Sequence, residues 1–229
     1  MLSPRRVGRY ELLGPVGTGG MGEVHRARAF GAAGVVKHVC LKLIRGARLA
    51  SPDALERFVE EARLSMQLAH GNIVPVFDFG RCDDGYYLAM EWVDGADAGA
   101  LLRDGPLPPE VAAHVAGEIA RALSYAHTAE GRALIHCDVK PSNVLVSRAG
   151  DVKLADFGVA TLIGDPTRSG TPAYMAPEQR AGAPVDARTD LYALGWLLAE
   201  MITGERSVRP SPEHALHDLV ERMLADAPA

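Results

Sequence analysis

The stretch that decides the fold runs from Ile135 to Gly158 and reads IHCDVKPSNVLVSRAGDVKLADFG. Two short apolar runs, residues 144–146 and 152–154, flank a turn that contains Gly150, and this pattern predicts a β-hairpin preceded by a polar loop. Because both ends of such a hairpin meet at one edge of a small sheet, polar side chains should gather there. The four expected at this edge are Asp138, Lys140, Asn143 and Asp156.

These four groups suit the transfer of a phosphoryl group to an alcohol. Asp156 and Asn143 offer hard oxygen ligands, the kind that Mg²⁺ prefers when substrate phosphates also hold it. Asp138 can orient a bound hydroxyl and accept its proton. Lys140 supplies positive charge where a transferred phosphoryl group would gather negative charge.

The stretch resembles the catalytic and metal-binding loops of the protein kinase superfamily. In that family a general-base Asp is followed after four residues by a metal-binding Asn and later by Asp-Phe-Gly, and Asp138, Asn143 and Asp156 match these positions. The resemblance implies an α+β, two-lobed protein-kinase-like fold. A small antiparallel β-sheet lobe with one helix would cover residues 10–93, and a mostly helical lobe, shortened at the C-terminus, would cover residues 94–229.

Composition indicates a globular protein with no preference for polyanions. The 229 residues are 48% hydrophobic with a net charge of −5, so we expect no nucleic-acid partner and no anionic membrane surface. Three scattered cysteines lack the paired spacing of zinc sites or disulfides, which favours a cytoplasmic location. The longest apolar run, residues 191–202, is shorter than the roughly 20 residues that cross a bilayer, so we expect no membrane segment, and we expect no signal peptide. No particular oligomeric state is indicated.

A glycine-rich segment follows the first predicted strand, residues 10–16. Its glycines let the backbone approach an anionic ligand and direct amides toward it, although a plain hairpin turn is the alternative. The segment continues into a second strand, which argues against a Walker loop and a dinucleotide-binding fold. The resemblance implies that it covers the phosphates of ATP, with contacts from Val16, Gly17, Gly19, Gly20, Gly22 and Val24.

A strand lysine and a helix glutamate form a second predicted pair. Lys42 lies among apolar neighbours, where an unpaired ammonium is costly, although a solvated edge lysine is the alternative. A helix is predicted over residues 51–69, with Glu61 beside its apolar face and Glu60 on its solvated side. The resemblance implies that Lys42 holds the α- and β-phosphates of ATP and pairs with Glu61.

Two further strands, residues 73–79 and 86–92, should complete a five-stranded antiparallel sheet through a turn at residues 82–85. The resemblance makes residues 91–93 the hinge whose backbone binds adenine. Ordinary core packing is the alternative for Met90. The nucleotide-binding residues expected around the adenine are Cys40, Met90, Glu91, Val93 and Leu145.

The segment from Gly170 to Glu178 resembles the substrate-docking end of the activation segment in the serine/threonine branch, with Thr171 as its docking residue. Asp190 is expected to hold the backbone of the catalytic loop from a buried position, with capping of the next helix as the alternative. His127 is expected at the surface or in packing rather than at a metal.

The chain departs from the family pattern at two places. Cys137 replaces the Arg that usually precedes the catalytic Asp and pairs with a phosphorylated residue, so activity should not require loop phosphorylation through this contact. After Ser207 the sequence is shorter than in the family, and no Arg matches the family position that pairs with Glu178, which is therefore expected to lack its usual Arg partner.

The resemblance implies a serine/threonine protein kinase of the bacterial eukaryotic-like type, acting in signalling, with ATP and Mg²⁺ as cofactors and protein hydroxyls as acceptors. An ATP-binding pseudokinase or scaffold is the alternative function. A small-molecule kinase is a third, although it would lack the docking segment at residues 170–178.

Overall fold

The computed structural model of the protein describes residues 5–19, 22–31, 34–46, 51–129, 134–157 and 170–225. The chain divides into two compact units. Unit 1 comprises Met1–Ala69 with Val74–Val93, and unit 2 comprises His70–Ile73 with Asp94–Ala229.

Unit 1 is built on a six-stranded antiparallel sheet. Its strands are β1 (Arg6–Val7), β2 (Tyr10–Gly19), β3 (Gly22–Phe30), β4 (Val36–Arg45), β5 (Val76–Cys82) and β6 (Gly85–Glu91), in the order β1-β2-β3-β4-β6-β5. The prediction of five strands was wrong by one. The extra strand forms because Gly8 adopts φ 55°, a left-handed conformation that returns β1 onto the start of β2.

The start of β5 also differs from the prediction. The strand begins at Val76, and residues 70–73 belong to unit 2 instead. Ile73 forms a parallel bridge with Leu154, whose amide donates to the Asn72 carbonyl at 2.8 Å. The Asn72 side-chain amide donates to the Val152 carbonyl at 2.9 Å. Residues 70–73 thus pack with the predicted hairpin rather than with the sheet that follows them.

The two faces of the sheet in unit 1 bury different groups. One face carries a core cluster of Val7, Tyr10, Ala27, Val39, Leu41, Tyr87 and Ala89. Helix α1 (Pro52–Gln67) confirms the helix predicted over residues 51–69, begins at a proline, and packs Phe58 against Phe79 and Tyr86. Tyr86 pairs with Ile44, three residues from Leu41 on β4, so α1 covers the face opposite that cluster. Glu60 is exposed, as predicted.

Unit 2 combines a three-stranded sheet with helices. Its elements are β7 (Gly95–Asp97), α2 (Ala98–Leu101), α3 (Pro109–His127), β8 (Val144–Ser147), β9 (Val152–Leu154), α4 (Pro177–Ala181), α5 (Ala187–Thr203) and α6 (His217–Met223). The predicted hairpin is confirmed as β8 and β9, and β7 adds a third strand beside β8. None of the helices in the described part of the chain combines the length and apolar character that a bilayer crossing requires.

Helices α3 and α5 supply much of the core of unit 2. Helix α3 buries Val115, Ile119, Ala122 and Ala126, whereas Val111 in its first turn is exposed. Helix α5 begins at Ala187 because Asp186 caps it, accepting a hydrogen bond from the Arg188 amide at 2.8 Å. It ends at Gly204, which adopts φ 74°.

Candidate active site

Four predicted residues form one hydrogen-bonded cluster in unit 2: Asp138, Lys140, Asn143 and Thr171. Lys140 Nζ lies 2.5 Å from Asp138 Oδ2 and donates to Thr171 Oγ1 at 3.0 Å. The Thr171 hydroxyl donates to Asp138 Oδ1 at 2.9 Å. Asn143 Nδ2 donates to the Asp138 carbonyl at 2.8 Å. The fold thus brings a residue of the docking segment onto the catalytic loop.

The cluster shows what the Asp138 carboxylate can do chemically. One of its oxygens accepts a hydrogen bond from an alcohol, the contact that a base must make with an acceptor hydroxyl. The other oxygen lies against the Lys140 ammonium, which places positive charge beside the alcohol oxygen as well. Asp138 is almost fully buried, which strengthens both electrostatic contacts relative to water.

Asn143 and Asp156 provide the oxygen atoms of the predicted metal site. The Asn143 amide nitrogen donates a hydrogen bond to the Asp138 carbonyl, so Oδ1 of Asn143 is the atom suited to a cation. The Asn143 carbonyl accepts from the Ala155 amide at 2.8 Å, which ties the residue before Asp156 to the same loop. Asp156 itself adopts φ 65°, a costly conformation for a residue with a side chain. One amide and one carboxylate oxygen suit Mg²⁺ that is shared with phosphates.

His136 connects the catalytic loop to the segment around Asp156. Its Nδ1 accepts a hydrogen bond from the Asp138 amide at 3.2 Å, and its Nε2 lies 2.9 Å from the Ala155 carbonyl. Because an amide can only donate and a carbonyl can only accept, the ring is the neutral tautomer with its proton on Nε2. Its edge also packs on Phe157, with ring centroids 4.7 Å apart. The imidazole therefore fixes the spacing between the two loops.

Asp190 holds the catalytic loop from a fully buried position, as predicted. Its Oδ2 accepts from the His136 amide and its Oδ1 from the Cys137 amide, each at 2.8 Å. The alternative of helix capping is wrong, because Asp186 occupies that position. Sequence reasoning missed a further contact, in which His127 Nε2 lies 2.7 Å from Asp190 Oδ2. No local pattern joins residues 63 positions apart, so only the packing of α3 on α5 reveals it.

The docking segment is anchored to α5 at two places. Glu178, which was expected to lack the Arg partner of the family pattern, accepts a hydrogen bond from the Thr189 hydroxyl at 2.5 Å. The Tyr174 hydroxyl donates to Glu200 in a buried hydrogen bond. Burial, followed by this hydrogen bond, raises the pKa of Tyr174 far above its usual value. Neither anchor was predicted, and neither was α4.

In unit 1 the register gathers several predicted nucleotide-binding residues on one face of the sheet. Val24 pairs with Lys42, and Cys40 pairs with Met90. Because directly paired residues share a face and side chains alternate along β4, all four lie on the face that α1 covers. Lys42 and Met90 are buried there. The Glu61 backbone lies in α1, one turn after Phe58, whereas its side chain lies outside the described part.

The glycine-rich segment is the end of the β2–β3 hairpin. Gly17 pairs with Val24 and Gly19 with Gly22, whereas Gly20 lies outside the described residues. At Gly22 the backbone adopts φ 149°, and an added Cβ would lie 1.7 Å from the Leu43 carbonyl oxygen, so only glycine fits. The remaining predicted residues are exposed Val16 at a bulge in β2, partly buried Leu145 in β8, Glu91 at the end of β6, and Val93.

Comparison with known proteins places these features in one family. The chain matches the family described as protein kinase domain over residues 10–226. It is 38% identical over 214 residues to the serine/threonine-protein kinase PknB of Mycobacterium leprae, covering 88% of this chain and 33% of that protein. It is 32% identical over 237 residues to the serine/threonine-protein kinase PrkC of Bacillus subtilis, covering 100% and 35% respectively. The chain therefore spans about a third of the length of these curated relatives.

A solved structure extends the likeness to three dimensions. The kinase domain of Mycobacterium tuberculosis PknI superposes with a TM-score of 0.79 at 31% sequence identity, covering 99% of this chain and 92% of that domain. Proteins of this family use ATP and Mg²⁺ in general.

Proposed function

The chain belongs to the protein kinase domain family, in its bacterial serine/threonine branch, and on this premise we propose that it transfers the γ-phosphoryl group of ATP to Ser or Thr hydroxyls of proteins. The observation that carries the proposal is the hydrogen bond between the Asp138 carboxylate and an alcohol, the Thr171 hydroxyl. The Lys140 ammonium contacts both the carboxylate and this hydroxyl. If the hydroxyl of a protein acceptor took the place of the Thr171 hydroxyl, Asp138 would be its general base and Lys140 the neighbouring positive charge.

The roles proposed for the other residues are those that membership of the family implies for their positions. Asn143 Oδ1 and the Asp156 carboxylate are proposed to hold Mg²⁺, which would neutralise charge on the phosphates. Lys42, paired with Glu61, is proposed to hold the α- and β-phosphates, and the glycine-rich segment would add backbone amides. Cys40 and Met90 would contact adenine from their shared face of the sheet. The backbone of residues 91–93 would hydrogen-bond it.

The transfer itself requires few groups from the chain. Asp138 would orient the acceptor hydroxyl and take its proton as the oxygen bonds to the γ-phosphorus, while the bond from that phosphorus to the bridging oxygen breaks and ADP leaves. Lys140, already beside Asp138, would stabilise negative charge on the transferred group. His136 and Asp190 would act through the backbone by keeping the carboxylate in place, which matters because small displacements of a catalytic group cost much of its effect.

Replacing Asp138 by Asn tests the proposal. The amide cannot accept the proton, so we expect turnover with labelled ATP, Mg²⁺ and a generic protein acceptor to fall by about 10²–10⁴-fold. Thermal unfolding with and without Mg²⁺-ATP should show that the variant still folds and binds nucleotide. The exposed carboxylate Asp218, changed to Asn, is the matched control and should keep wild-type turnover.

Two outcomes would contradict the proposal. Unchanged turnover in the Asp138 variant would remove this residue from the reaction. Nucleotide binding without any transfer by the wild-type chain would instead favour the pseudokinase.

A further inference from the structure

A buried glutamine joins the docking segment to the catalytic loop. Gln179 on α4 is 1% exposed, and both ends of its amide are used. Its Oε1 accepts from the Ala176 amide at 3.1 Å, and its Nε2 donates to the Cys137 carbonyl at 3.0 Å. One side chain therefore sets the distance between the end of the docking segment and the residue before Asp138.

Gln179 binds the catalytic loop at Cys137, whose backbone conformation is strained. Cys137 adopts φ 63°, which a side-chain-bearing residue keeps only when its surroundings hold it there. The Cys137 amide is held by Asp190 at 2.8 Å and its carbonyl by Gln179 at 3.0 Å. Both peptide groups of the strained residue are thus fixed, and the second of them carries the amide nitrogen of Asp138.

The backbone of the docking segment approaches the same carbonyl. A Cβ added to Gly170 would lie 2.8 Å from the Cys137 oxygen and 3.3 Å from Gln179 Nε2. Gly170 also adopts φ 134°, so the close approach and the backbone conformation both require glycine. Thr171, the next residue, reaches Asp138. Two successive residues of the docking segment, Gly170 and Thr171, therefore contact two successive residues of the catalytic loop, Cys137 and Asp138.

We propose that Gln179 is a positioning residue for the transfer reaction, and that it couples the docking segment to the catalytic base through the Cys137 carbonyl. This inference rests on the proposed function. Residue 137 has no cationic side chain with which to bind a phosphorylated segment, so its backbone carbonyl makes the link instead. Loss of the hydrogen bond would release the strained peptide and displace Asp138, which would lower kcat while leaving the KM for ATP unchanged.

Changing Gln179 to Glu should make kcat depend on pH. A general loss of stability would not produce this dependence. A protonated carboxyl reproduces the amide, because one oxygen accepts from Ala176 and the O–H donates to the Cys137 carbonyl. An ionised carboxylate presents an oxygen to that carbonyl and repels it. Burial raises the pKa of a carboxyl group, so the protonated form should be populated near neutral pH and lost as pH rises.

Other ionisable groups nearby are already engaged or lie on the loop itself. On α4, Glu178 is bonded by Thr189, and Arg180 donates to the Pro172 carbonyl at 3.0 Å. On the catalytic loop the neighbours are the His136 ring, the Cys137 thiol, the Asp138 carboxylate and the Lys140 ammonium. On α5 the Asp190 carboxylate, which the His127 ring also contacts, binds the Cys137 amide. All of them are present in the wild-type chain as well, so dividing the kcat of the variant by that of the wild type at each pH isolates the introduced carboxyl.

The experiment measures kcat and the KM for ATP from about pH 6 to 8.5 for the wild type, Gln179→Glu and Gln179→Met. At the alkaline end we expect Gln179→Glu to lose about 10- to 100-fold in kcat, the usual effect of an unsatisfied buried group, and to regain most of it at the acidic end. Gln179→Met keeps the length of the side chain but neither hydrogen bond, so its deficit should be the same at every pH. Gln67→Glu, on the exposed end of α1, is the matched control and should behave as wild type.

Thermal unfolding of each variant, with active fraction from nucleotide titration, separates loss of fold from loss of positioning. A Gln179→Met variant with wild-type kcat, or a Gln179→Glu deficit that does not change with pH, would overturn the inference while wild-type activity still supports the proposed function. A wild-type chain that transfers no phosphate would overturn both.

Discussion

Replacing Asp190 by Asn should destabilise the protein more than any comparable surface change. The carboxylate is fully buried and receives the His136 and Cys137 amides, with the His127 ring on the Oδ2 side. An Asn offers one acceptor oxygen and one NH₂ group, so in either orientation a donor faces a donor. The better orientation keeps the oxygen toward His136 and His127 and leaves the Cys137 amide without an acceptor.

The magnitude follows from that count. A hydrogen bond to a charged group contributes about 1.5–3 kcal/mol, and a buried donor left unsatisfied costs about 1–3 kcal/mol. Loss of the Cys137 bond, together with weaker bonds to a neutral oxygen, should lower the free energy of unfolding by about 2–4 kcal/mol. This is a large part of the roughly 5–15 kcal/mol that stabilises an ordinary domain.

Urea unfolding measures the effect through the midpoint and slope of the transition. The exposed residue Asp104, changed to Asn, is the control and should shift the free energy of unfolding by less than about 0.5 kcal/mol. Because the loop that carries Asp138 loses an anchor, kcat should fall in the Asp190 variant as well. A shift below about 0.5 kcal/mol with unchanged kcat would refute the assignment of Asp190 as the anchor of the catalytic loop.

Two further predictions concern the glycine-rich segment and the missing arginine. Gly22→Ala should cost at least about 2 kcal/mol of unfolding free energy, because the added methyl would collide with the Leu43 carbonyl, whereas Gly17→Ala meets nothing within 4 Å and should cost less than about 1 kcal/mol. Equal costs in urea unfolding would contradict this reading of the hairpin. Phosphatase treatment should leave activity intact, because buried Cys137 carries no cation to bind a loop phosphate. Loss of activity on treatment, with recovery on rephosphorylation, would count against that expectation.

Local patterns in the sequence were sufficient for the hairpin β8–β9 and for helix α1. Each of these depends on spacing within about 20 residues, where period, turn residues and end signals act together. The extra strand β1 was missed because two residues are too few to show an alternation of apolar and polar side chains. Only the turn at Gly8 reveals it.

Contacts between distant segments could not be read in this way. The partner that the structure provides for Glu178 is the hydroxyl of Thr189, although an Arg had been sought. The use of both ends of the Gln179 amide depends on α4 lying beside the catalytic loop. A hydroxyl or an amide has no preferred partner in a sequence, because many groups satisfy it equally well.

The sequence by itself determined which chemical groups this protein brings to the loop around Asp138, since two carboxylates, an ammonium and an amide must be encoded as residue types at set spacings. Only the tertiary structure decided how those groups are held. The strained backbone at Cys137 and Asp156 persists because Asp190, Gln179 and His136 bind it from segments far along the chain. Such hydrogen bonds depend on the packing of whole helices and loops, so no local sequence pattern predicts them.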